Sequence, residues 1–513
     1  MNLLTVAQSM TVPADSEWIQ DWHDRDDPDG TLRALLDSAW RAVSSMKGTE
    51  VVATTAILSR AFQQRDRFRD FPCDEVETLL AMGRLWEDDI EEAMLHAQSV
   101  LMRGTGARYR PALAVVMKFC SWRTRDFKPF YESCRGKAPR GNAISLLVTT
   151  INLSIEAAAE AEQLRFKLAE RLARDALFLC DKSTKAEAYA SLLPTCVLAK
   201  LHYEAGAVDE ADALLRGRLT AIEDSGAIES ALIAFVLSAK IAAARGNQNI
   251  ALLILRRGEE IGVQRRWSRL VLRCKAEEVA LHIHQGHADL AELALEELEN
   301  FFGELDAKAR PKDVDTWPLQ MASFRLQMAN GPSIGTVRAL DDLRDTSLHH
   351  NHPALVVKLT ILLASALYAI GNVARAQEEL LAALQQGANA GLFRTFLDDM
   401  PLIEAPLKQL WRSPETENLG HLGPYIGQLL TATSPPPLAR KKFRTNHRLV
   451  ESLSTRETII LRLMSLGLSN KSIARELQIT PETVKSHAKH IFIKLASKNR
   501  AEAVSRATEL GLI

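Results

Sequence analysis

The chain of 513 residues has almost no net charge, −1 at pH 7. It also lacks several marks of specialised chemistry. Its six cysteines (Cys73, Cys120, Cys134, Cys180, Cys196 and Cys274) lie far apart with no C-x-x-C pair. They read as reduced residues of a cytosolic protein, not as a disulfide framework. The longest apolar runs, such as "LLASALYAI" from Leu362 to Ile370, are far short of a bilayer span. The N-terminus has no basic segment leading into an apolar core, so no secretory signal is read there. No G-x-x-x-x-G-K-[ST] loop occurs. "MRGTGARYR" near Gly104 and "NGPSIGT" near Gly331 both lack the lysine that would meet phosphate. No Ser-His-Asp or Cys-His set can be assembled, and no cofactor or enzyme activity is expected. Nothing alternates strand and helix, which excludes a phospho-receiver domain.

Other constellations are weak. "HDRDDPDG" near Asp24 would put Arg25 first and Leu36 twelfth in a calcium loop, and neither is a ligand. His349, His350 and His352, and His282, His284 and His287, read as helix-end loops and not as metal sites. Acidic pairs such as Asp398–Asp399 read as solvated or capping surface. Trp86, Trp122, Trp267 and Trp317 could line a groove, although buried packing is the commoner role.

The near-zero net charge conceals a division. Residues 440–513 hold 15 Lys or Arg and 6 Asp or Glu, whereas the rest holds 48 and 58. A basic tail on an acidic body suits a tail that meets a polyanion. "TATSPPP" at 431–437 cannot continue a helix and marks a boundary. The basic run that follows is either a solvated linker or a phosphate contact.

Before that boundary nearly everything reads as helix, with a repeat. "EAGAVDEA", "ARGNQNIA", "HQGHADLA" and "AIGNVARA" place Gly206, Gly246, Gly286 and Gly371 five residues before Ala211, Ala251, Ala291 and Ala376. Gly331, with Thr336 in the alanine position, divides the longest gap, so the period is about forty residues. Glycine would end one helix in a left-handed conformation, and a small residue early in the next would permit close packing. Leu355, Leu359, Leu362, Ala366 and Ala369 form one apolar face before Gly371. Upstream, "RLWEDDIEEA" keeps Ala93 but has Asp88 for glycine. Roughly from Leu192 to Arg412 the chain resembles the long-period tetratricopeptide repeats of large regulators related to the maltose-regulon activator. "AGLFRTFLDDMPLIEAPLKQLW" looks like the end of that module. Such regulators normally begin with a nucleotide-binding module, which this sequence lacks.

Four helix starts can be placed in the tail. Ser454 with Glu457 forms a capping-box pattern, and Ile459, Ile460, Leu463, Met464 and Leu466 supply that helix's apolar side up to Gly467. The next helix begins at Ser469 or Asn470, with Ile473, Ala474 and Leu477 inward. The third has Thr480 as N-cap and Pro481 as its first residue. The fourth starts at Asn499 with Glu502 and ends at Gly511. Turning the third helix at about 100° per residue puts Val484, Ala488, Ile491 and Leu495 on one stripe. Glu482, Lys485, Ser486, Lys489 and Ile493 fall opposite. This layout suits a helix entering a major groove by its N-terminal end.

The pattern L-S-T-R-E, G-L-S-N-K-x-I-A, T-V-K-x-H-x-x-x-I-x-x-K-L, N-R-x-E-A-V, from Leu453 to Leu512, resembles the LuxR-type helix-turn-helix domain. The resemblance implies that Lys485, Ser486 and Lys489 approach bases. Thr483, Val484 and His487 would meet the DNA backbone or support that contact, and Thr480 and Lys471 would lie near phosphates. Ala503, Val504, Ala507 and Leu510 fall where such domains often dimerise, with packing on their own domain as the equal alternative. Ser472 stands where the family usually has Glu, and Ala496–Ser497 where it has Gly-Val, which puts in doubt one cap and the turn into the last helix.

The expected fold is all-α: a helical-repeat superhelix followed by a four-helix LuxR-type domain. Residues 1–34 form an extension, 35–190 diverged repeats, 191–430 the tetratricopeptide-like domain, 431–449 the linker and 450–513 the helix-turn-helix domain. The function expected is a cytoplasmic, sequence-specific transcription regulator, with activation favoured by resemblance. Its partners would be promoter DNA, RNA polymerase, an effector or protein on the repeats, and a second copy on DNA, with no membrane. A protein-interaction scaffold with accessory DNA contact is the alternative.

Overall fold

The computed structural model describes residues 28–68, 70–104, 107–133, 143–180, 189–305, 310–311, 315–412, 422–433, 455–465, 468–476, 480–495, 497 and 499–509. The linker residues 434–449 therefore lie outside the described residues, as do Cys134, Ser454, Gly467, Leu477, Ala496, Leu510 and Gly511. Among the described residues every regular element is a helix. None of these helices is long and apolar enough to cross a membrane.

Among the described residues the body holds nine helix pairs, which begin at Pro28, Cys73, Arg110, Ala143, Leu192, Ile228, Ser268, Trp317 and Pro353, with shorter helices between and after them. The first helix, Pro28–Ser44, starts within the stretch that sequence reading assigns to the N-terminal extension. In every pair one residue with positive φ separates the two helices: Met46, Asp88, Arg125, Leu164, Gly206, Gly246, Gly286, Gly331 and Gly371. The repeat therefore continues through the N-terminal half without its glycines. The reason lies in the backbone. Gly206 N–H bonds the Tyr203 carbonyl at 2.8 Å, and Ala207 N–H bonds the His202 carbonyl at 2.9 Å. This double closure of the helix end recurs at Met46 and Lys47, Asp88 and Asp89, Arg125 and Asp126, and Leu164 and Arg165. It uses main-chain groups only, so ordinary side chains can occupy the left-handed position at a cost of about 1–2 kcal/mol.

Five residues after each such turn the chain is buried, at Val51, Ala93, Phe130, Ala169, Ala211, Ala251, Ala291, Thr336 and Ala376. These side chains seat the second helix on the first. Asp88 has a further role in its strained position. Its two carboxylate oxygens accept hydrogen bonds from Arg269 at 2.7 Å each, and Arg269 also donates to Glu229 at 2.6 Å. The second pair is thereby bound to the sixth and seventh.

Similar long-range contacts wind the array back on itself. Trp86 Nε1 donates to the Ser225 carbonyl at 3.1 Å, and Trp267 Nε1 donates to the Trp86 carbonyl at 3.0 Å. Helix Pro353–Ala369 is buried on nearly every side from Leu355 to Leu367, not along one face, while Ala369 is exposed. Trp122 and Trp267 are core residues. Cys120, Cys196 and Cys274 are buried thiols, not disulfides, and burial pushes the Cys196 pKa up to about 12.

Residues 391–399 leave the ninth pair and enter the inner face of the array. Phe393 N–H donates to the Glu204 carbonyl at 2.6 Å, and the Glu204 carboxylate accepts the Thr395 N–H and hydroxyl at 3.1 and 2.8 Å. Asp398 and Asp399 do not form the solvated surface that sequence reading expects. Asp398 accepts from Tyr203 at 3.0 Å and pairs with Arg394 at 2.6 Å and Lys240 at 3.4 Å. Asp399 pairs with Arg325 at 3.0 Å. Burial alone would raise the Asp398 pKa, but Lys240 and Arg394 hold it below the ordinary carboxylate value. Lys240 and Arg325 come from distant helices and are invisible in a local sequence window; only Arg394, four residues from Asp398, is a local partner.

Candidate nucleic-acid interface

The tail folds around its own core of Ile460, Leu461, Met464, Ile473, Ala474, Val484, Ala488, Ile491, Leu495, Ala503 and Ala507. Its helices run Thr455–Ser465, Asn470–Glu476, Pro481–Lys494 and Arg500–Glu509. Val484, Ala488, Ile491 and Leu495 are all buried, so the apolar stripe anticipated from spacing is the surface on which the third helix rests. Leu461, absent from the anticipated set, is wholly buried beside Ile460.

This seating fixes what faces outward. Pro481, Glu482, Thr483, Lys485, Ser486, Lys489 and His490 are exposed, and His487 is half-buried at the edge. Lys485 has a loose contact with Glu482 at 3.8 Å, and its side chain stays 72% exposed, so the charge is available to an incoming polyanion. Ile493 continues the row as an exposed apolar group. Val484 is wholly buried, so it can only seat the helix and cannot touch a ligand itself.

Caps define where the helix begins. Thr480 Oγ1 accepts the Thr483 N–H at 3.2 Å, and Pro481 occupies the first turn. Pro481 has no N–H and the Val484 N–H bonds the Thr480 carbonyl at 3.2 Å, which leaves the Glu482 N–H as that turn's donor for an anion, a place the helix dipole favours. Lys471 is exposed at the start of the preceding helix. There Ser469 Oγ accepts the Ser472 N–H at 3.2 Å, and the two hydroxyls lie 2.9 Å apart. The cap thus works in one direction, as expected where Ser472 replaces a glutamate.

Two ties hold the fourth helix and the turn before it. Ser497 N–H bonds the Phe492 carbonyl at 2.8 Å, closing the turn without the family's Gly-Val. Arg500 donates to the Met464 and Leu468 carbonyls at 2.8 and 2.6 Å, capping the first helix from across the domain. Sequence reading missed this role, since nothing local distinguishes Arg500 from a surface arginine. Asn499 Oδ1 accepts the Glu502 N–H at 2.9 Å. Ala503 and Ala507 are completely enclosed in the domain's own core, so a dimer seam on this helix cannot use them. Val504 is partly buried against the same core.

No cluster of His, Cys, Asp or Glu with metal-site geometry occurs among the described residues. The arrangement is a binding surface: a rigid helix, capped at its leading end, with a short cationic and hydroxyl row.

Comparison with known proteins agrees with this geometry. Residues 139–413, more than half of the chain, match the family described as MalT-like TPR region. Residues 451–507 match the family described as bacterial regulatory proteins, luxR family. The first three helix pairs precede the TPR match and keep the same turn geometry. The nitrate/nitrite response regulator protein NarL of Escherichia coli (strain K12) is 33% identical over 174 residues, 34% of this chain and 68% of that protein. The HTH-type transcriptional regulator AlkS of Ectopseudomonas oleovorans is 24% identical over 318 residues, 61% of this chain and 34% of that protein. The putative HTH-type transcriptional regulator Rv0890c of Mycobacterium tuberculosis is 42% identical over 60 residues, 12% of this chain and 7% of that protein. The chain thus spans about a third of the AlkS protein's length. It belongs to the regulators that join a MalT-like TPR region to a DNA-binding domain of the bacterial luxR family.

Proposed function

We propose that this protein is a sequence-specific transcription regulator that reads promoter DNA in the cytoplasm with helix Pro481–Lys494. The exposure of Lys485, Ser486 and Lys489 directly opposite the buried stripe carries this reading. Lys485 and Lys489 are placed to donate to guanine O6 and N7, and Ser486 to either neighbouring edge. Thr480, Thr483, His487 and Lys471 flank that row and suit phosphate oxygens, fixing register. The helical body senses an effector or a protein partner, and two copies bind paired half-sites. Activation through RNA polymerase is preferred to repression, a preference that rests on family resemblance.

The contrasting reading is an interaction scaffold with accessory DNA contact. Mobility shift of the full chain on genomic fragments, at moderate salt with excess competitor DNA, separates the two. The regulator retains a subset of fragments; a scaffold retains none.

A further inference from the structure

The nine pairs are joined in two different ways. Neighbouring pairs share apolar cores. Among the described residues, the buried members of each cluster in the body come from at most three consecutive pairs, or from the ninth pair and the helices after it. The fifth pair belongs to two clusters. Val197, Leu198 and Leu201 pack with the third and fourth pairs, whereas Leu192, Cys196 and Tyr203 pack with the sixth and seventh.

The contacts that bring the first four pairs against the last four are mainly polar. Asp88, Arg269, Glu229, Arg123 and Asp315 form one buried ion set. Beyond the bonds of Arg269 to Asp88 and Glu229, Arg123 donates to Asp315 at 2.7 Å. Arg125 Nη2 lies 3.2 Å from His352 Nε2, and Gln163 Nε2 donates to the Asn351 carbonyl at 2.8 Å. Leu164 and Phe166 add half-buried apolar contact to the last cluster. The joint is imperfectly satisfied. Arg123 Nε and Arg125 Nη1 are buried, with the Glu229 and Glu162 carboxylates at 3.3 and 3.5 Å, yet neither makes a hydrogen bond. At the far end backbone meets backbone: a Cβ on Gly48 would lie 2.6 Å from the Ser225 carbonyl oxygen and 2.8 Å from Gly226 Cα.

The two kinds of seam respond differently to water. Opening an apolar seam exposes surface that water disfavours. Opening an ion set returns each charge to water, and hydration offsets most of the lost attraction. A seam of ions is therefore close to balance, and polar seams between folded units commonly permit relative motion. We propose that the body is a clasp: pairs one to four swing away from pairs six to nine about the fifth pair, and Asp88 is the latch. Asp88 stands where the later turns carry glycine, and its carboxylate is what closes on Arg269. The open form presents Arg123 and Arg269 to solvent and gives the body a second shape. This inference concerns the body alone and stands whether or not the tail reads DNA.

Small-angle scattering of the full chain tests it on two substitutions that local backbone preference favours. Asp88→Gly puts glycine in a left-handed turn, and Gly48→Ala puts alanine at the start of a helix. Locally, neither change should loosen the chain. The clasp predicts that both raise the radius of gyration by at least about a tenth, because one removes the latch and the other wedges the joint. Helical content by circular dichroism should stay that of the wild type. A scattering curve of either variant that superimposes on the wild type overturns the proposal. Loss of helical content in either variant overturns it as well, since these contacts would then hold the fold itself and not a joint within it.

Discussion

The Lys494 ammonium donates to the Glu457 carboxylate at 2.8 Å, joining the end of helix Pro481–Lys494 to the start of the domain's first helix. Glu457 is 3% exposed, so this pair is structural. It separates Lys494 from Lys485 and Lys489, which lie on the same helix and face solvent. Three lysines within ten residues therefore have two different tasks.

Lys494→Met should destabilise the tail by about 2 kcal/mol, since it leaves a buried carboxylate short of a charged donor. Hydrogen exchange of residues 455–509 in the full chain reads this directly. The preferred DNA sequence should stay the same.

Lys489→Ala should weaken the cognate site by about 1–3 kcal/mol and relax one base position, while non-specific affinity changes little. An equal loss on every sequence would make Lys489 a phosphate contact. Lys471→Ala should show that uniform loss and lower the salt slope by about one.

The turns give a paired prediction. A Cβ on Gly286 would meet no atom within 4 Å, so Gly286→Ala should cost only the left-handed backbone penalty, about 1 kcal/mol. Arg266 is exposed at φ 57°, so Arg266→Gly should stabilise by up to about 1 kcal/mol. Denaturation midpoints of the full chain should move in opposite directions.

Lys358 gives a pH signature. Burial, then Lys240, lowers its pKa from 10.5 to about 8. Between those values the unfolded chain holds a proton that the folded chain has released, so stability should rise with pH across that window. Below about 8 both states are protonated and the contribution is constant. Melting temperatures from pH 7.5 to 9.5 should climb in the wild type and flatten in Lys358→Met.

How far these features can be read from residues depends on where the determining contact lies. Gly206, Gly246, Gly286 and Gly371 announce their turns because glycine accepts positive φ freely. Met46, Arg125 and Leu164 adopt the same conformation under main-chain hydrogen bonds that leave no residue signature. The apolar stripe Val484–Leu495 is visible as a local period. Glu457 looks like half of a local capping box with Ser454, yet its carboxylate pairs with Lys494, 37 residues away. Ala503 and Ala507 suit either a dimer seam or a core, and only the packed domain shows them enclosed. Asp398 and Asp399 look solvated until Lys240, Arg325 and Arg394 converge on them.

The central claim is tested most directly by sequencing the genomic fragments that the full chain retains under competitor DNA, side by side with Lys485→Ala/Lys489→Ala. The account predicts a recurrent paired motif for the wild type and its disappearance in the double variant, with the helical content of both unchanged. Fragments without a shared motif, or the same motif recovered by both proteins, would contradict it.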